Sequence, residues 1–91
     1  MNTASLNISA EALDTEQFIK KFTPLVKRIA HHMMKKLPTS ILIDDLIQAG
    51  MVGLLEAINR YKGSYGHQFE LFAAQRIRVS ILKQLRVTGK I

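Results

Sequence analysis

Apolar residues recur along this chain at three- and four-residue steps, the spacing of helices with one buried face. Phe18, Phe22, Leu25, Val26, Ile29, Met33 and Leu37 form the first such series, inside EQFIKKFTPLVKRIAHHMMKKL. Asp14 or Thr15 can cap this helix, Glu16 lies in its first turn, and Pro38 ends it. Pro24 should kink it or restart it as a first-turn proline. The preceding residues 1–13 are small and polar and are expected to be mobile, with a short turn near Ala10–Leu13.

A second series lies in DDLIQAGMVGLLEAINRY, with Asp44 as the expected N-cap and Asp45 in the first turn. At about 100° per residue, Leu46, Ile47, Gly50, Met51, Gly53, Leu54, Ala57, Ile58 and Tyr61 share one broad arc. Gly50 and Gly53 are on that side. Glycine inside a helix costs about 1 kcal/mol relative to alanine, so close approach of another helix is the expected reason for them. The opposite arc holds Asp45, Gln48, Val52, Leu55, Glu56 and Asn59. Val52 and Leu55 are out of place there, because the outer side of a surface helix is ordinarily polar. Two aliphatics with an acid and an amide suit docking on another helix, although isolated exposed apolar residues are common.

KGSYGHQ then reads as a turn, with Gly63 and Gly66 free to take positive φ. The last helix is expected over about Gln68 to Val87, with Gly89 marking its end. Its inner arc is read as Leu71, Ala74, Ile77, Ile81, Leu82 and Leu85. Its outer arc carries Phe72, Gln75, Arg76, Val79, Lys83 and Arg86, and Arg78 projects toward the apolar side. No strand of usable length and no internal repeat is found. The expected fold is all-α, a compact bundle of three helices, or four if Pro24 divides the first. The domain is placed at 14–91.

Composition narrows the chemistry. The chain has 91 residues, enough for one domain, and 47% of them are hydrophobic. It lacks cysteine, which removes disulfides and thiolate metal sites. The N-terminus has neither the basic start nor the apolar run of a signal peptide. No apolar run approaches the roughly 20 residues of a membrane span, so a cytoplasmic protein is expected. Thirteen basic residues against seven acidic ones give +6. From Arg60 onward the cations are Arg60, Lys62, Arg76, Arg78, Lys83, Arg86 and Lys90, against Glu70 alone. A basic half suggests a polyanion partner. On the outer arc of the last helix, cations can meet phosphates and Phe72 can stack on an unpaired base, with His67 and Tyr65 extending that surface. The alternative is that Phe72 folds inward.

Catalytic patterns are missing. His31 and His32 are adjacent, so their side chains diverge on a helix and do not readily chelate one metal. Ser and Asp occur without a matching histidine arrangement, and GMVG is too short for a phosphate loop. No enzyme and no cofactor is expected.

LVKRIAHHMMKKLP, DDLIQAGMVGLLEAINRY and GHQFELFAAQRIR resemble the second conserved region of bacterial RNA polymerase sigma factors, most closely the flagellar (FliA-like) class of the sigma-70 family. The resemblance covers about residues 17–86. It implies that the helix over 44–61 binds a coiled coil of the polymerase β′ subunit, through Asp45, Gln48, Met51 and Leu55, with Ala49 nearby; Val52, from the outer arc, is counted with this polymerase-binding set. It also implies that the last helix contacts promoter DNA around the −10 element through His67, Phe72, Gln75, Arg76, Val79 and Lys83. Such a protein captures a melted strand while the polymerase does the chemistry. An anti-sigma factor is a further candidate partner.

Departures cluster on the DNA-reading helix. The family pattern G-A-hydrophobic-L-D-E-L-R stands here as Val79-Ser80-Ile81-Leu82-Lys83-Gln84-Leu85-Arg86, and a common Thr-Tyr pair stands as Leu71–Phe72. The third region and the helix-turn-helix of a complete factor have no counterpart in these 91 residues. The ending VTGKI departs from the pattern too, which favours a naturally short or degenerate form over a cut piece. Three functions compete: a sigma-type module that binds core polymerase and weakly contacts promoter DNA; a regulator that occupies the β′ site without reading DNA; and an inactive remnant. An exposed apolar docking face also predicts self-association when its partner is absent.

Overall fold

The structure, a computed structural model, describes residues 3–61 and 66–89, with side chains from Thr15 onward. Among these described residues there are three helices: α1 (Thr3–Met34), α2 (Ile43–Arg60) and α3 (His67–Val87). The all-α expectation holds, and the three-helix form is the one found.

α1 begins earlier than expected. Its backbone is helical from Thr3, so Asp14 and Thr15 lie inside the helix and residues 3–13 belong to it. Pro24 neither divides nor restarts it. A proline at this point deprives the Lys20 carbonyl of its helical donor, but Lys20 and Pro24 are both exposed, where water can serve instead. The Thr23 hydroxyl donates to the Ile19 carbonyl beside it. The helix ends at Met34, ahead of Pro38, in tight turns where Lys36 N–H donates to Met33 O (3.1 Å) and Leu37 N–H to Met34 O (3.2 Å).

α2 starts one residue ahead of the expected cap. Leu42 occupies the N-cap with extended backbone and no side-chain cap bond, and Asp44 and Asp45 both fall in the first turn. There they still meet the positive end of the helix dipole. At the far end of α3 the C-terminal signal works as read. Gly89 takes φ +72°, and Thr88 N–H donates to Gln84 O (3.0 Å) and Gly89 N–H to Arg86 O (3.2 Å). The turn KGSYGHQ falls largely on residues 62–65, outside the described residues, as do Gly63 and Tyr65. Gly66 has φ −99°, so it does not use positive φ.

The core joins Phe22, Leu25, Val26, Ile29 and Ala30 of α1, Leu46, Ala49, Leu54, Ala57 and Ile58 of α2, and Phe69, Ala73, Ile77, Ile81 and Leu85 of α3. Phe69 is fully buried and was not among the expected inner residues. Its ring packs edge-on against Phe22 (centroids 5.0 Å) and Tyr61 (5.3 Å). Conversely, Leu71 and Leu82, expected inside, are 60% and 38% exposed.

The glycines of α2 set how closely the helices meet. A Cβ on Gly53 would lie 2.6 Å from the Arg76 carbonyl oxygen and 2.9 Å from the Ile77 Cα. One on Gly50 would lie 2.7 Å from Val26 Cγ1. The close approach expected of them is present, and at Gly53 it is backbone against backbone. The Ser80 hydroxyl crosses the same seam and donates to the Ala49 carbonyl at 2.7 Å.

Candidate functional site

With the inner side of α2 sealed against α1 and α3, its outer side is left to solvent. Asp45, Gln48, Val52 and Leu55 are all exposed there, Val52 at 52% and Leu55 at 39%. The helix period brings these four residues together as the sequence implied. Met51 sits at the edge of the group, half-buried against the core, and its sulfur is 4.0 Å from the Thr23 hydroxyl of α1. Ala49 is buried in the core and reaches the outer side only at the floor of the cleft toward α3, where its carbonyl also accepts from the Ser80 hydroxyl.

The outer face of α2 continues onto α3. Asp45, Gln48 and Val52 line a shallow cleft with Gln84, and Val52 and Glu56 line its continuation with Ser80, Lys83, Gln84 and Val87. Sequence reasoning missed Gln84, Val87 and Leu42 in this surface. Val87 is 74% exposed and Leu42 65% exposed, and the cleft end beside Asp45 includes Leu42. Leu42 precedes the helix, so no wheel could place it.

The six residues implied for DNA do not form one free surface. Gln75, Val79 and Lys83 are exposed along one side of α3. Phe72 lies on the same side but is half-buried, its ring tilted against Tyr61 with centroids 5.6 Å apart. It is the outermost ring of the series Phe22, Phe69, Tyr61 and Phe72, so it folds partly inward and keeps an exposed part. Arg76 is engaged inside the protein: its Nη2 donates to Glu56 Oε2 at 2.9 Å, joining α3 to α2. Its Nε is buried with no acceptor among the described residues. His67 lies elsewhere, in a groove between α1 and α3 with Arg28, His32 and Arg78.

The partner of Arg76 is the residue that sequence reasoning could not find. Glu56 and Arg76 each fall on an outer arc of their own helix, and nothing local indicates that the arcs meet. The hydrogen bond from Arg76 is the main cause that holds the Glu56 carboxyl below its ordinary range. The charges of Arg76, Arg60 and Lys83 act in the same direction, and desolvation opposes them.

Among the described residues, no group of three His, Cys, Asp or Glu is placed to hold a metal ion. No helix among them is long and apolar enough to cross a membrane.

The pattern of the Sigma-70 region 2 family matches residues 18–91. The chain is 49% identical over 71 residues to the RNA polymerase sigma factor FliA of Pseudomonas aeruginosa, covering 78% of this chain and 29% of that protein. It is 39% identical over 82 residues to the FliA of Escherichia coli K12, covering 90% of this chain and 34% of that one. Among solved structures it resembles a chain of the flagellar sigma/anti-sigma complex Sigma-28/FlgM and a chain of a Sigma-28 (FliA)/FlgM complex. The TM-scores are 0.80 and 0.82 at 33% identity, over 86% of this chain and about a third of those chains. The chain thus spans about a third of the length of these relatives. By the match over most of its length, the chain belongs to the sigma-70 region 2 family.

Proposed function

We propose that the chain is a sigma-type module that docks on core RNA polymerase through the outer face of α2, the partner surface being the coiled coil of the β′ subunit. The observation that carries this reading is the exposed cluster Asp45, Gln48, Val52 and Leu55 on a helix whose inner face is already filled. Aliphatic side chains bordered by an acid and an amide match a helical partner, where apolar contact supplies affinity and the polar groups fix register. The relatives are sigma factors, which supports polymerase as that partner. An anti-sigma factor is a further proposed partner, since one solved neighbour is a flagellar sigma/anti-sigma complex.

The test is direct binding of the purified chain to core RNA polymerase, with the double variant Asp45→Ala/Leu55→Ala. Both residues are exposed, so the variant should keep its helical circular dichroism and lose binding. Equal binding by the variant removes α2 as the docking face. No binding by the folded parent chain leaves family membership as ancestry alone.

The exposed line of Gln75, Val79 and Lys83, with part of Phe72, is the proposed promoter-DNA contact. One observation favours a second reading, in which the chain occupies polymerase and competes with other sigma factors without reading DNA. Arg76, the central cation of the DNA arc, is held by Glu56. Charge reversal of Arg76 and Lys83 separates the two. It abolishes promoter-dependent activity under the first reading and leaves competition for core polymerase intact under the second.

A further inference from the structure

We propose that the groove between α1 and α3 is a second docking site, which takes an acidic amphipathic helix of a partner protein. The groove shares no lining residue with the α2–α3 cleft. It consists of two adjoining hollows that have His32 and Arg78 in common, the larger about 390 Å³. α1 supplies Leu25 and Ile29 to its floor, and α3 supplies Leu71 and Ala74. Its continuation is floored by Met33, Leu37 and Leu82.

On α3, the positions Leu71, Ala74, Arg78 and Leu82 follow one another at helical steps. Leu71 and Leu82 are about 16 Å apart at about 1.5 Å per residue, which is three turns. This is the length and spacing that a partner helix engages with apolar residues at i, i+4, i+7 and i+11.

Charge selects the occupant. Arg28, Lys36 and Arg78 stand at the groove against one acid, Glu70. Glu70 is bridged to Arg28 across the groove at 3.8 Å, a long and exposed pair that is readily opened. A second copy of this chain would bring the same cations against themselves. A nucleic acid would meet the cations, but the floor between them is aliphatic, and the rings in the lining are the imidazoles of His32 and His67, with no Phe, Tyr or Trp. A helix with leucines on one side and glutamates on both flanks satisfies the floor and the rim together.

The experiment titrates the full chain into a fluorescein-labelled synthetic helix of 18 residues. The peptide carries leucine at i, i+4, i+7 and i+11 and glutamate on the flanks. Its counterpart carries lysine for every glutamate, and binding is read by fluorescence anisotropy. The expected result is saturable binding of the acidic peptide only, weakened at least tenfold by Arg78→Glu and separately by Leu71→Glu, and unchanged by Lys83→Glu. Arg78 and Leu71 are both exposed, and circular dichroism checks that each variant stays folded. Equal binding of both peptides overturns the proposal, as does failure of the acidic peptide to bind at millimolar concentration. So does binding that neither groove variant weakens. A dimer in sedimentation that Leu71→Glu dissolves gives the groove to a second copy. Binding of a single-stranded oligonucleotide that Arg78→Glu abolishes, with no peptide binding, gives it to nucleic acid. Failure here leaves the polymerase reading untouched, because the two faces are separate.

Discussion

The two flanks of α3 are built in opposite ways. Toward α2 the helix is drawn in until backbones touch: Gly53 leaves no room for a Cβ against Arg76 and Ile77, Ser80 donates to a carbonyl of the facing helix, and Glu56 holds Arg76. Toward α1 the same helix stands off. Arg28, His32 and Arg78 line the gap, Leu71 and Leu82 remain exposed, and one long ion pair crosses it. The difference lies in residue size. Small residues on α2 let two rods close, whereas long ones on α1 and α3 hold them apart. A seam of small residues fixes how α2 and α3 are oriented, and the faces those helices turn outward are thereby fixed too. A gap between large residues fixes less and leaves surface to be covered.

The strongest way to break this asymmetry is Gly53→Ala. The added methyl meets a carbonyl oxygen and a Cα, neither of which can rotate away. Alanine gains about 1 kcal/mol of helix propensity over glycine. Overpacking against rigid neighbours costs about 1–3 kcal/mol and can cost more, so the net expectation is destabilisation. Urea unfolding checks it. Gly50→Ala is the graded comparison, since its methyl meets the side chain of Val26, which can shift, and the loss should be smaller. Gly66→Ala meets open space, so it carries no overpacking cost and serves as the reference without a packing clash. Equal effects at all three positions would mean that the seam is not rigid.

The next effect is that of Ser80→Ala. It removes the hydroxyl donor and leaves the Ala49 carbonyl with its own helical partner, so no acceptor is stranded. The loss should be about 0.5–1.5 kcal/mol, below that of Gly53→Ala. The two residues share one contact, since Ser80 Cβ would lie 2.9 Å from a Cβ on Gly53. Their effects should therefore fail to add in the double variant.

How much of this was legible in sequence follows the same divide. The seam was readable because its cause is local: glycines inside a strong helical period have few explanations, and close approach was the right one. The outer face of α2 followed from it, because one helix has only one opposite side. The α1–α3 flank was not readable. Apolar residues surround much of α3, so its wheel has no sharp centre, and Leu71 and Leu82 were assigned to a core that α1 does not complete. Phe69 was overlooked because it stands at the start of α3, where a periodic series is shortest. Its burial depends on Phe22 of α1 and on Tyr61, the residue that caps the end of α2. Pro24 misled for a related reason. Whether a proline breaks a helix depends on whether the carbonyl it orphans faces water, which tertiary packing decides.

The smallest expected change in stability, and the one most informative about function, comes from Glu56→Gln. The pair it breaks lies at the surface end of the seam, and pairs of this kind contribute little to folding. The sign with pH is nevertheless defined. Arg76 holds the folded-state pKa of Glu56 below its unfolded value, so the pair's contribution is present above the ordinary carboxylate range. It is lost as pH falls through the lowered folded-state value. The stability gap between parent and variant should therefore close in acid, which unfolding midpoints at neutral and acidic pH will check. Glutamine keeps an acceptor but not the charge, so Arg76 becomes free to swing toward solvent beside Gln75 and Lys83. If α3 contacts promoter DNA, the variant should bind a −10-containing oligonucleotide more tightly. Its log K against log salt plot should be steeper by about one further phosphate contact. Lys83→Ala supplies the reference. Should it leave binding unchanged, the DNA arc itself is wrong. Should it weaken binding while Glu56→Gln has no effect, the arc stands and Arg76 is a structural tie between two helices. The charged seam would then belong wholly to the closed flank of α3.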